Sequence, residues 1–134
     1  MPVIDASVLA EYFGDAAEAE VARQHLVENK TGLWAPHLVD AEVGQALRRW
    51  VRLGRIEEEA ALDALDELAL MPLRRANHRA LFPRAWELRD NLSFYDALYV
   101  ALAEILEQPL LTFDARMAKA TGIRAEVEVL SQAA

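Results

Sequence analysis

A chain of 134 residues, 54% of them hydrophobic, has the length of one domain, 1–134, and enough apolar material for a packed core, which argues against disorder. It has no cysteine, so a disulfide framework, a thiolate metal site and a cysteine nucleophile are excluded. Its 22 acidic against 14 basic side chains give a formal charge of −8, which argues against polyanion binding, since that affinity comes mostly from Lys and Arg neutralising phosphates.

In chain order, Met-Pro-Val-Ile-Asp has neither the basic start nor the long apolar run of a secretory signal. No stretch approaches the roughly 20 apolar residues of a membrane span. The expectation is a soluble, cytoplasmic protein without a membrane partner. Val3-Ile4 reads as a short strand ending at Asp5, followed by a helix over Ala6 to Phe13. Gly14-Asp15 breaks it, and a second helix runs from Ala16 to about Asn29. Gly32 to Ala35 reads as a buried strand closed by Pro36. From Leu38 to Leu53, the residues Val39, Val43, Ala46, Leu47 and Trp50 repeat with helical spacing, and Gly54 is the natural stop. Ile56, Leu62, Leu65 and Leu68 mark another amphipathic helix, with a short strand expected around Leu70 to Leu73. Helices are expected over Asn77 to Asp90, where Pro83 marks either a kink or the true start, and over Phe94 to Glu107. Pro109 to Phe113 reads as a strand, Ala115 to Thr121 as a short helix, and Val127 to Leu130 as a last strand. This alternation favours an α/β sandwich with a mostly parallel sheet.

Basic charge is concentrated in the middle of the chain. Twelve of the 14 basic residues are Arg, and nine lie between Arg48 and Arg89. Arg48, Arg49, Arg52 and Arg55 are the candidate phosphate contacts. Arg48, Arg52 and Arg55 at i, i+4 and i+7 would form one stripe on a helix, unless Gly54 ends the helix before Arg55.

The acids that carry chemistry sit at the ends of elements. Asp5 follows the first strand and Asp114 the fourth, and ligands of open parallel sheets bind beyond the carboxyl ends of strands. Asp96 lies in the first turn of a helix whose next seven residues, Ala97 to Ala103, contain one polar side chain, Tyr99, so its carboxylate is costly there unless compensated. Glu42 lies at the rim of the buried face of its helix. Each acid also has a local role open to it. Asp5 and Asp114 fit helix N-caps, Ser93 and Asp96 fit a capping box, and Glu42 fits a surface pair with Arg48 or Arg49. Four acids at one edge of one sheet exceed those roles, because clustered carboxylates repel unless a cation is held among them. Oxygen-only donors suit Mg²⁺ or Mn²⁺ over zinc. Asp40 lies about 200° from Glu42 on the wheel and faces elsewhere. His25, His37 and His78 share no ligand spacing; His37, which opens the Glu42 helix, has the best claim to a secondary role. The Trp and Tyr residues are assigned to the core, with Tyr95 a possible exception.

Four segments, Val3 to Leu9, Ala35 to Val43, Leu92 to Tyr99 and Leu110 to Asp114, resemble in order and spacing the signature blocks of PIN-domain ribonucleases, most closely the VapC toxins of toxin-antitoxin pairs. The resemblance implies a three-layer α/β/α sandwich with a central parallel sheet in the order 3-2-1-4-5. It implies that Asp5, Glu42, Asp96 and Asp114 are the family's metal-binding catalytic acids; the chemistry of phosphodiester cleavage then makes Asp5 and Asp96 the main metal ligands, Asp114 a ligand directly or through water, and Glu42 the group that orients or deprotonates the attacking water. Ser7 and Thr112 match its small hydroxyl positions beside the site. It further implies a Mg²⁺-dependent endoribonuclease with Mn²⁺ as a substitute, an RNA substrate, an antitoxin partner through which any DNA is bound, and a homodimer within larger assemblies. A non-cleaving PIN-like binding module and a housekeeping RNA-processing nuclease are the alternatives. A haloacid-dehalogenase phosphatase needs a second Asp two residues after the first, where this chain has Ser7. A response-regulator receiver lacks its adjacent acid pair.

Overall fold

In the computed structural model, which describes residues 1–131, the short apolar runs of the sequence become the strands of one five-stranded, all-parallel sheet in the order β3-β2-β1-β4-β5. The strands are β1 (Val3–Ile4), β2 (Leu33–Pro36), β3 (Leu73–Ala76), β4 (Leu110–Thr112) and β5 (Val127–Val129). Val3 and Ile4 have no solvent exposure, as befits the centre of a parallel sheet covered on both faces. The helices are α1 (Ala6–Tyr12), α2 (Ala17–Glu28), α3 (Leu38–Arg52), α4 (Glu58–Leu70), α5 (Phe82–Glu87), α6 (Phe94–Leu106) and α7 (Ala115–Lys119). α1 packs on α2 and α3, and α3 on α4; α6 packs on α5 and lies across β1, β2 and β4. The expected α/β/α sandwich and its strand order are both present.

Two features position the site. Val3 pairs with Leu110 and Ile4 with Leu111, so β1 and β4 end side by side and Asp5 N–H donates to Leu111 O at 3.1 Å. All seven residues from Ala97 to Ala103 are buried, so α6 is held on most sides and carries Asp96 to the same edge.

Three elements differ from the sequence reading. The third strand lies at Leu73–Ala76 instead of Leu70 to Leu73. Leu70 is the last residue of α4 and is 85% exposed, and Pro72 separates helix from strand. Arg74 and Arg75 hide this strand from a hydrophobic reading, and charged residues are common on sheet edges, where they block further pairing. Residues 77–90 form a 3-10 turn over Arg79–Leu81 and then α5. Pro83 falls in the first turn of α5, where its missing N–H costs nothing, so it marks the start. α7 ends at Lys119, two residues before Thr121.

Candidate active site

At the carboxyl edge of β1, Asp5 caps α1 and is 6% exposed. Its Oδ1 accepts the Ser7 N–H (3.0 Å), the Ser7 hydroxyl (2.5 Å) and the Val8 N–H (3.4 Å), and its Oδ2 accepts the Thr112 hydroxyl. Burial pushes the Asp5 carboxyl from 3.8 up to about 6, against the lowering effect of those donors. Each hydroxyl spends its proton on Asp5 and accepts a backbone amide from the turn after β4. Phe113 N–H donates to Ser7 Oγ at 3.0 Å and Asp114 N–H to Thr112 Oγ1 at 2.9 Å. Ser7 and Thr112 are therefore holders of Asp5, and neither has a free proton path that would make it a nucleophile.

The other three acids come from three different elements. Asp114 caps α7, accepting Arg116 N–H at 3.0 Å, and takes both guanidinium contacts of Arg116, Nε to Oδ1 at 3.0 Å and Nη2 to Oδ2 at 2.9 Å. Arg116 holds its carboxyl below the usual range. Asp96 lies beyond the Ser93 cap, whose Oγ accepts Asp96 N–H at 3.1 Å. Burial raises its carboxyl, Ser93 lowers it, and the charges of Asp114 and Arg116 act on it in opposite directions. Glu42, on the flank of α3, accepts the Tyr99 hydroxyl at 2.7 Å instead of pairing with an arginine of its own helix. Burial raises its carboxyl, Tyr99 lowers it, and Asp96 raises it further. The Tyr99 hydroxyl is pushed up by burial first and then by Glu42, Asp5 and Asp96. Glu42 to Asp96 to Asp114, with Tyr99 reaching Asp5, is thus one electrostatically coupled group.

Among the described residues, no three acids or histidines close to the spacing of a bound cation. Asp5 Oδ1 already accepts three donors and both Asp114 oxygens face Arg116. The donor chemistry nevertheless fits a hard cation: every group is a carboxylate oxygen, and the buried Asp5 is penalised as an anion until a counter-charge arrives.

A sequence profile of the PIN domain matches residues 3–123. The chain belongs to the PIN-domain family. It is 46% identical over 130 residues to ribonuclease VapC1 of Mycobacterium tuberculosis, covering 96% of each chain. It is 41% identical over 118 residues to ribonuclease VapC9 of the same organism, covering 87% of this chain and 88% of that one. Among solved structures, protein PAE2754 of Pyrobaculum aerophilum aligns with a TM-score of 0.65 at 29% identity, over 93% of this chain and 81% of that chain. VapC20 of Mycobacterium tuberculosis, described as a Sarcin-Ricin loop cleaving toxin, shares the fold with a TM-score of 0.68 at 20% identity, over 92% and 96%. This PIN domain is of the VapC type.

The arginines of this PIN domain divide by role. Arg75 grips Asp40 through two contacts of 2.7 and 2.9 Å, which keeps Asp40 away from the acids. Arg84 ties α5 to α6 through Glu104 at 2.7 Å. Arg74 and Arg89 lie against Trp34 and Trp86, 5.6 and 4.7 Å from the ring centroids. The stripe of Arg48, Arg52 and Arg55 ends early. α3 stops at Arg52, and Gly54, at φ +74°, lets Arg55 N–H reach Trp50 O (2.8 Å) and Gly54 N–H reach Val51 O (3.1 Å). This helix-ending motif turns Arg55 back over Trp50, 4.7 Å from its ring. Of the α3 arginines, Arg49 is the one on the Glu42 flank. It lies about 20° from Glu42 on the wheel and about 10 Å along the axis, whereas Arg48 lies about 120° away and Arg52 about 80° away. With Ser7, Glu42, Gln45 and Trp50, Arg49 lines a groove of about 350 Å³ between α1 and α3.

Three contributors lie outside the residues picked from sequence. Tyr99 sits three positions after Asp96, on the same helix face, and that spacing was the available signal. Arg116 follows Asp114 by two. His78, from beyond β3, accepts Leu38 N–H at Nε2 (2.9 Å) and so caps α3. His37 stands at the cap position with no side-chain bond, so the secondary role expected of His37 belongs to His78.

Proposed function

We propose that this PIN domain is a Mg²⁺-dependent endoribonuclease, with Mn²⁺ as a substitute, and the toxin of a type II toxin-antitoxin pair. The observation that carries it is the coupled group of Asp5, Glu42, Asp96 and Asp114 at the carboxyl edge of β1 and β4, in a chain 46% identical to a ribonuclease over nearly its whole length. Asp5, Asp96 and Asp114 would hold the cation. When bound, the cation supplies Lewis-acid polarisation of the phosphoryl oxygen and lowers the pKa of its water. Ser7 and Thr112 keep both oxygens of Asp5 in place through their hydroxyls. Glu42, its carboxyl raised by burial, is suited to orient the attacking water and accept its proton. Arg116, exposed beside Asp114, would supply positive charge toward a phosphate. Arg49 supplies positive charge along the groove beside Glu42.

The net charge of −8 fits this reading once it is divided by location. Four of the acids lie in the site, where bound cations offset them, and the arginines lie in the middle of the chain. Partners follow from the same reading: RNA as substrate, a basic segment of an antitoxin attracted to the acidic site, a second copy of the chain, and DNA only through the antitoxin. No described helix is long and apolar enough to cross a membrane, and a cytoplasmic place accords with an RNA substrate.

The test is cleavage of RNA by the purified chain with Mg²⁺ or Mn²⁺, its arrest by EDTA, and its loss in Asp5→Asn and Asp96→Asn variants that stay folded. Cleavage that survives both substitutions removes the site from the proposal.

A further inference from the structure

Glu42 is the one acid of the group held neither at a strand end nor in the first turn of a helix. It stands in the second turn of α3, half-buried, on three rotatable bonds. Together with Ala6, Ala10 and Ala46, its side chain lines the groove between α1 and α3. Those small side chains leave space in which the Glu42 carboxylate is free to turn. The contact that opposes this turn comes from α6, where Tyr99 donates to Glu42 Oε1 at 2.7 Å.

We infer that Tyr99 is a positioning residue, whose hydroxyl fixes one orientation of the Glu42 carboxylate at the wall of the groove. The inference rests on the ribonuclease reading above and specifies how its proton acceptor is held. Tyr99 is suited to the task because its ring is 1% exposed, packed in the apolar run of α6, so the hydroxyl projects from a rigid mount. Burial and the surrounding acids keep that hydroxyl protonated, so it acts toward Glu42 as a donor. Tyr99 also lies one turn deeper than Asp96 on the same face. A single turn of α6 therefore sets the position of one acid directly and of a second, on another helix, through one hydrogen bond. Asp5, with four donors of its own, needs no such tether.

The test uses the full chain and Tyr99→Phe, which keeps the ring and removes one oxygen. In a crystal structure of this variant without RNA or metal, the Glu42 carboxylate is expected to leave the place it holds beside the ring of residue 99 and to turn along the groove. In steady-state cleavage with Mg²⁺, kcat is expected to fall about 10- to 100-fold with KM within about twofold of wild type. In a Glu42→Gln background, Tyr99→Phe is expected to change cleavage by less than about twofold, since the tethered group is already lost. An unmoved Glu42 carboxylate overturns the inference, and so does a penalty as large in the Glu42→Gln background as in wild type, which marks a merely structural role. A wild-type chain that cuts no RNA under conditions where metal binds overturns the ribonuclease reading instead, and the crystal structure still decides the tether. Should Tyr99→Phe not fold, the Tyr99 hydroxyl proton in wild type and Glu42→Ala decides by NMR: exchange with water must speed up at least tenfold in Glu42→Ala, and unchanged exchange overturns the tether.

Discussion

Thr112 donates its hydroxyl to Asp5 and accepts the amide of Asp114 at 2.9 Å, so one β4 side chain links two acids across the β1–β4 pair. Thr112 is fully buried. Replacing it by the isosteric Val leaves a buried carboxylate oxygen short of a donor and an amide without its acceptor. Each such loss costs about 1 to 3 kcal/mol. Thr112→Val is expected to lower unfolding stability by at least the lower of these values, and Thr112→Ser to recover most of it. Denaturant titration of the three proteins in EDTA checks this, and a Val variant as stable as wild type removes the link.

The raised carboxyl of Asp5 gives the metal-free protein a distinctive pH dependence. Its pKa goes from 3.8 to about 6 on folding, mainly through burial, so the folded state binds this proton more tightly than the unfolded state. The stability contributed by the protonated form is complete below about pH 4 and is lost as pH rises through about 6. Asp5→Asn has no charge to bury. Its stability relative to wild type should therefore rise across this window by up to about 3 kcal/mol and be flat on either side. Melting temperatures of both proteins from pH 4 to 8, in EDTA, test the sign. Saturating Mg²⁺ should reverse it by stabilising only wild type.

Asp114 faces Arg116 with both oxygens, so a cation entering the site competes with a guanidinium. Arg116 is exposed and also lies in the field of Asp96. Arg116→Ala is expected to tighten Mn²⁺ binding several-fold at low ionic strength, with the gain shrinking as salt is added. Isothermal titration with Mn²⁺ alone measures this, and weaker binding in the variant would assign Arg116 a supporting role toward the acids.

What was legible in the sequence follows from what is local. Val3-Ile4-Asp5 and Leu110 to Asp114 are apolar runs that stop at an acid, and short-range pattern suffices to find them. Their convergence needed the 3-2-1-4-5 order, which resemblance to PIN domains supplied and the pairing of Ile4 with Leu111 shows. β3 was misplaced because an edge strand carrying Arg74 and Arg75 has no apolar signature. The bonds of Tyr99 to Glu42 and of His78 to Leu38 N–H join positions 57 and 40 residues apart, and no local pattern encodes such distances. The arginine stripe loses Arg55 for a local reason that was in view, the helix stop at Gly54, and keeps Arg48 and Arg52 aligned on α3.

That stop changes which arginine is expected to touch RNA. Arg49 shares the flank of Glu42 and lines the groove, whereas Arg48 points about 120° away and Arg55 is turned onto Trp50. In an Asp5→Asn background, which prevents cleavage under the proposed function, Arg49→Ala is expected to weaken binding of a short single-stranded RNA. It should also reduce the slope of log affinity against log salt by about 0.7, the loss of one phosphate contact. Arg48→Ala is expected to change the slope by much less. Fluorescence anisotropy at four salt concentrations separates the two, because a contact to phosphate alters the slope while a change in fold alters affinity at every salt. Equal slopes for Arg49→Ala and the parent would place the RNA path away from the groove between α1 and α3.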